Sequence, residues 1–255
     1  MPNPWIMKME QFTGFSPDQR RRLEELSSER IETTPARHDI LREGERVDEC
    51  HLVVSGMAAR YKILPDGSRQ IFAFLVPGDL CDAEVFILER MDHSVAALSE
   101  TRCAIIPAAT MKELLREVSC LAEALWWGTM TDLAVLRERI VDHGRRDARE
   151  RIAHLFYELL VRYRMVGGTE DESFPFPITQ EELADATGLT PVHVNRTLQQ
   201  LREDGLIELH GKVLKVLDPA RLKTVAGFSA DYLHLQRVEH GDASEEVAGR
   251  AGDLV

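Results

Sequence analysis

The chain has 255 residues, 44% of them hydrophobic and 29% charged, with a formal net charge of −12. That length exceeds one ordinary domain, and the composition excludes a disordered or membrane-embedded chain. The negative balance excludes a general polyanion binder, so any nucleic-acid contact must come from a local patch.

The opening MPNPWIMKMEQF has no basic region ahead of an apolar block. The longest apolar runs, such as QIFAFLV at 70–76, fall far short of the roughly 20 residues a spanning helix needs. No membrane partner and a cytoplasmic location are therefore expected. Cys50, Cys81, Cys103 and Cys120 form no C-x-x-C pair, which predicts buried free thiols and neither a disulfide framework nor a metal site.

SPDQRRRLEELSSE, with Ser16 and Pro17 at its start, predicts an N-terminal helix. From Ile31 to Leu80, glycines recur about 11 residues apart at Gly44, Gly56, Gly67 and Gly78, and LPDGS at 64–68 carries a hairpin turn. Between them CHLVVS, AARYKIL and QIFAFLV read as short strands, so this region predicts a small antiparallel barrel or roll. After Pro107 come two helical runs, AATMKELLRE and a longer one over 119–143. In the longer run Leu121, Leu125, Trp126, Met130, Leu133, Leu136 and Ile140 recur mostly at steps of three and four. Such a stripe either meets a twin or packs on its own barrel. GRRDARERIAHLFYELLVRYRM continues as helix, and the acidic GGTEDESFPFP that follows is either a hinge or a hairpin. Two short helices are expected in 218–239, and the last stretch, 240–255, has the composition of a disordered tail.

Residues 178–217 are the most specific part of the chain. Thr179 followed by Glu182 is a capping-box pattern, the helix it opens runs to Gly188, and a second helix restarts at Thr190-Pro191: a helix-turn-helix. In the second helix Val194, Leu198 and Leu201 share one face and predict core. Val192, Arg196, Gln199 and Glu203 lie opposite, with His193, Asn195 and Gln200 on the flanks. Arg suits guanine edges, and Asn or Gln suits adenine. LIELHGKVLKVL then predicts a hairpin about His210-Gly211, whose Lys212 and Lys215 are placed to meet phosphates: a winged helix. Six acids against four bases leave this unit a net −2, with GRRDARER at 144–151 adding positive charge beside it.

On ITQEELADATGLTPVHVNRTLQQLREDGLIELHGK and REGERVDECHLVVSGMAARY, the chain resembles the Crp/Fnr family of bacterial transcription regulators from about residue 15 to 217. The resemblance implies an α+β fold: an N-terminal β-roll or jelly-roll barrel of the cyclic-nucleotide-binding type, a long dimerisation helix and a C-terminal winged helix-turn-helix. The implied domains are a sensor over 1–118, the dimerisation helix 119–143, the DNA-binding unit 144–217 and a C-terminal extension over 218–239. It further implies a homodimer on palindromic double-stranded DNA, with RNA polymerase as a partner and no enzymatic activity. Arg196 matches the family's base-reading Arg. Pro191-Val192 replaces the usual Arg-Glu or Glu-x-x-Ser entry, so base preference should differ and Val192 should meet a thymine methyl. The expected DNA contacts are Thr179, Thr190, Pro191, Val192, His193, Asn195, Arg196, Gln199 and Lys212.

The family's nucleotide cradle is altered. In PGDLCDAEVFILERMDHSVAAL, Asp82-Ala83 stands for Gly-Glu and His93-Ser94 for Arg-Ser, while Asp79, Asp82 and Glu84 would repel a phosphate. Control by cyclic AMP is therefore not expected, and no cofactor is predicted. The candidate effector residues are Asp79, Cys81, Asp82, Ala83, Glu84, His93 and Ser94, for an unidentified small molecule or none. Cys81 and His93 keep a haem- or redox-sensing regulator open as an alternative. A protein-interaction module with a degenerate nucleotide domain is another, favoured by the −12 charge.

Overall fold

The structure is a computed structural model and describes residues 2–82 and 88–235. Its N-terminal half holds two antiparallel sheets. One has the order β1-β7-β3, from Ile31–Thr34, Thr101–Pro107 and Glu49–Ser55; the other has the order β2-β6-β4-β5, from Asp39–Leu41, Ser94–Ala97, Ala58–Ile63 and Arg69–Leu75. All four glycines spaced along this region take positive φ, between +81° and +94°, which a side chain would strain. The expected roll is present.

Alternation along the strands builds three layers. Val53, Ala58, Leu75, Val95, Cys103 and Ile105 fill the space between the two sheets. Cys50, Leu52, Ala104 and Ile106 face the other way and pack on helices: α1 (Pro4–Met9), α2 (Pro17–Glu29), α3 (Ala108–Glu117) and α4 (Ser119–Arg145). The outer face of the second sheet, with Ala59, Tyr61, Ile71 and Phe74, shares a continuous core with the C-terminal unit. Helix α1 was not read from the sequence. Asn3 caps it by accepting from Trp5 N at 3.0 Å, and Trp5, Ile6 and Met9 are buried. Its start presses on the turn at Gly78, where an added Cβ would lie 2.7 Å from the Pro4 carbonyl oxygen.

Helix α4 is 27 residues long, about 40 Å at 1.5 Å per residue. Of the stripe expected of it only Leu121 is buried; Leu125, Met130 and Leu136 are half-buried, and the face turned to the core is a neighbouring one. Leu121, Ala124, Trp127, Ala134 and Val135 are buried against the chain's own core, while Trp126, Leu133 and Ile140, spaced by sevens, are 68%, 41% and 72% exposed.

Asp147 starts α5 (Ala148–Met165) with a capping box, Glu150 closing it. The acidic loop after α5 is a hairpin arm: its β8 (Ser173–Pro175) adds a third strand to the wing, in the order β8-β10-β9 with Val213–Val216 and Ile207–His210. Of the C-terminal extension, α8 (Pro219–Ala226) and a single 3-10 turn at Asp231–Leu233 are described. Phe228 lies 4.8 Å from the Tyr157 ring, and Tyr232 Oη donates to Glu158 Oε2 at 3.1 Å. Residues 236–255, including the expected tail, lie outside the described residues.

Candidate nucleic-acid interface

The helix-turn-helix is assembled by local chemistry. Thr179 Oγ1 accepts from Glu182 N at 3.1 Å and Glu182 Oε2 accepts from Thr179 N at 2.7 Å, fixing the start of α6 (Gln180–Thr187). Gly188 ends it at φ +64°, and a Cβ there would lie 3.0 Å from His143 Nδ1, so the turn runs hard against the end of α4. Thr190 then caps α7 (Pro191–Glu203), with Pro191 in the first turn and Thr190 Oγ1 accepting from His193 N at 3.3 Å.

Helix α7 has two faces of opposite character. Val194, Leu198 and Leu201 are at most 1% exposed and pack in one core with Leu183 and Ala186 of α6. On the other side Val192 is 81% exposed, Pro191, Arg196 and Gln199 are exposed, and His193 and Asn195 are half-buried. A valine so exposed gains nothing from folding. Arg196 has no hydrogen-bond or ion-pair partner among the described residues. Thr179 is half-buried and its hydroxyl is occupied by the cap.

Pairing redistributes the unit's charge. Asp185 Oδ2 is 2.8 Å from Arg69 Nε on β5, and Asp204 pairs with Arg149, so cations from outside 178–217 neutralise part of its acidic surplus. The basic GRRDARER segment is largely committed in turn. Arg146 pairs with Asp142 at 2.7 Å and Glu138 at 2.9 Å, Arg149 pairs with Asp204, and Arg151 donates to the Thr187 and Arg146 carbonyls. Only Arg145 of its four arginines has no such partner among the described residues. In the wing, Gly211 and Lys212 both have positive φ, +58° and +64°, as a two-residue I′ turn requires. Lys212 projects exposed from that tip, whereas Lys215 pairs with Asp171, which raises its pKa through that hydrogen bond.

Among the described residues, the candidate effector side chains are spread over separate contacts. Asp79 is buried and accepts from Lys8 Nζ at 2.7 Å, Arg162 Nη2 at 2.5 Å and Val76 N at 2.7 Å. Burial alone would raise its pKa, yet the two cations hold it below the usual carboxylate range. The free space beside it, lined by Lys8, Asp132 and Arg162, is about 20 Å³, room for about one water. Asp82 accepts from His51 N and lies 2.8 Å from His51 Nδ1; although burial opposes it, that contact raises the imidazole's pKa. Cys81 is fully buried beside Cys103, and its thiol is pushed up by that neighbour and by burial. His93 Nδ1 lies 2.6 Å from Asp92 Oδ1, and Ser94 Oγ accepts from Glu43 N at 2.9 Å. Ala83 and Glu84 lie outside the described residues. Sequence reasoning missed Arg60, which donates to the Leu80 carbonyl at 2.8 Å and reaches Asp132 of α4 at 3.1 Å. Its place in AARYKI gave no sign of this.

A β-roll joined through a long helix to a winged helix with an exposed, partly polar second helix defines a two-domain regulator of DNA. The sequence model of the cyclic nucleotide-binding domain matches residues 31–118, and that of the Crp-like helix-turn-helix domain matches 150–225. The chain is 30% identical over 190 residues to the nitrogen fixation regulation protein FixK of Rhizobium meliloti, covering 73% of this chain and 82% of that protein. It is also 30% identical over 192 residues to the transcriptional activator protein FnrL of Cereibacter sphaeroides, covering 74% and 77%. The structure of FixK2 from Bradyrhizobium japonicum superposes with a TM-score of 0.69 at 25% identity, over 79% of this chain and 98% of that one. The chain belongs to the Crp/Fnr family and is a transcription regulator with a helix-turn-helix DNA-binding domain.

Proposed function

We propose that this regulator binds a two-fold symmetric DNA site as a homodimer, paired through Trp126, Leu133 and Ile140 of α4, with one α7 in the major groove of each half-site. The observation that carries the reading is the outer face of α7, where exposed Val192 stands one turn before unpartnered Arg196. Arg196 reads guanine, Val192 meets a thymine methyl, and Lys212 contacts phosphate from the wing. His193 and Gln199 flank this set, while Thr190 and Pro191 bring the helix N-terminus to the backbone. RNA polymerase is the partner at the promoter.

Cyclic nucleotides do not control it in this reading, which the engagement of Asp79 by Lys8 and Arg162 and of Asp82 by His51 supports. Nor does haem in this reading, which the burial of Cys81 in the core between the two sheets supports. The effector, if there is one, is another small molecule.

Selection of preferred sequences from a random duplex library tests the reading, with an enriched palindrome expected. Arg196→Ala should lose binding to it in a gel-shift assay; unchanged binding overturns the groove assignment. Ile140→Asp should sediment as a monomer, and a dimer that persists overturns the role of α4.

A further inference from the structure

Among the described residues Arg196 and Gln199 on the outer face of α7 have no hydrogen-bond partner, but Asn195 is already held. Its Nδ2 donates to Gln180 Oε1 at 3.2 Å, across the turn from the first residue of α6. Gln180 is exposed, stands beside the capping box of Thr179 and Glu182, and takes no part in the core. Asn195 is half-buried, one residue before Arg196.

A primary amide has two donors and one two-lone-pair acceptor. The bond to Gln180 occupies one N–H of Asn195 and leaves one N–H and the whole of Oδ1. Reversing both amides would occupy one lone pair instead, and would again leave Asn195 a donor and an acceptor side by side. One donor beside one acceptor matches the major-groove edge of adenine, whose N7 accepts and whose N6 donates. A free asparagine would have to lose rotamer freedom to present that edge, and one already held does not. Gln180, meanwhile, keeps donors at the N-terminus of the first helix, the element that crosses the phosphate backbone in helix-turn-helix complexes.

We propose that Gln180 is a positioning residue for sequence readout: it fixes the amide plane of Asn195, which then reads an adenine next to the base read by Arg196, and ties that contact to the phosphate backbone. This rests on α7 entering the major groove as proposed above.

The test compares library-selected base preferences of the wild-type protein with those of Asn195→Ala, Gln180→Ala, Gln180→Glu and Arg196→Ala, with a thermal melt of each confirming the fold. The position whose preference flattens in Asn195→Ala should be an adenine, favoured about 5- to 150-fold over other bases in the wild type. Gln180→Ala should flatten the same position to within about threefold and leave the Arg196 base selected. Gln180→Glu retains an acceptor for Asn195 Nδ2, so it should keep the adenine while weakening all sequences alike, by charge repulsion at the phosphates. An unchanged profile in Gln180→Ala overturns the positioning role, and a base other than adenine at the Asn195 position overturns the assignment. If Arg196→Ala keeps the wild-type profile and affinity, the groove reading itself fails and takes this inference with it.

Discussion

Arg69 Nε lies 2.8 Å from Asp185 Oδ2, and the neighbouring Gln70 Nε2 donates to the Asp185 backbone carbonyl at 2.7 Å. Two consecutive residues of the sensor sheet therefore grip one residue of the first helix of the DNA-binding unit. Both side chains of the ion pair are about a third exposed, at 32% and 29%, so water screens it and its contribution should be below about 1 kcal/mol. Arg69→Ala should accordingly lower the melting temperature by no more than about 2–4 °C. Protease cleavage between the domains should nonetheless accelerate, because the grip opens locally before the fold does. Cleavage at the wild-type rate would show that the apolar contacts alone hold the units together.

Stability should fall as the pH drops from 6.5 towards 4 because of His154. This imidazole is fully buried, with Glu138 at 3.6 Å, Asp142 at 3.7 Å and the Tyr232 ring stacked at 5.9 Å. Burial pushes its pKa down from 6.5 to about 4; Asp142 opposes the shift, and Arg146 and Arg139 add to it. The folded protein keeps the ring neutral while the unfolded chain takes up a proton, so stability is lost across that interval, by up to about 3 kcal/mol. His51 acts with the opposite sign, since its raised pKa stabilises the fold at low pH. The comparison to make is thus between wild type and His154→Gln: urea midpoints at pH 7 and pH 5 should differ less in the variant.

Two turn glycines separate backbone strain from steric collision. Gly44 has φ +81° and open space where a Cβ would go, so Gly44→Ala should cost about 1 kcal/mol. Gly56 has φ +92°, and its Cβ would fall 2.4 Å from the Glu100 carbonyl oxygen, so Gly56→Ala should cost more than about 2 kcal/mol. Denaturant titration of both variants checks the order.

Lys212 at the wing tip should act on affinity and leave sequence preference alone. Lys212→Ala should weaken binding to all duplexes alike and reduce the slope of log affinity against log salt by about 1 per protomer. Titrations over several salt concentrations on two different duplexes measure both effects.

Helix α7 was legible because every local signal agreed: Thr190 and Pro191 mark its start, and Val194, Leu198 and Leu201 keep helical period to its end. Helix α1 was not, since six residues with Pro4 at the front carry too little period, and burial under the Gly78 turn holds it in place. Strand β8 has three residues and exists through its register with β10, Phe174 opposite Leu214. The helical period of α4 was visible, but the buried face is set by Ala124, Trp127, Ala134 and Val135 beside the expected stripe, because which face the roll covers is decided by packing. The acids of the effector segment were legible as charge and illegible as structure. Asp79 is engaged by Lys8 and Arg162, which stand 71 and 83 residues away in sequence.

The packing of α1 also sets a condition on the order in which the fold can close. Trp5, Ile6 and Met9 share a core with Leu121 and Ala124, and Phe12 stacks on Trp127 at 5.8 Å. Within this packing, the contact between Phe12 and Trp127 joins residues more than a hundred positions apart, so it forms only after α4 has been made. At about 5–20 residues per second, that is a wait on the order of ten seconds. Until then Trp5, Ile6 and Met9 have only α2, the first sheet and the Gly78 turn to pack on, and their shared core closes when Leu121 and Ala124 arrive.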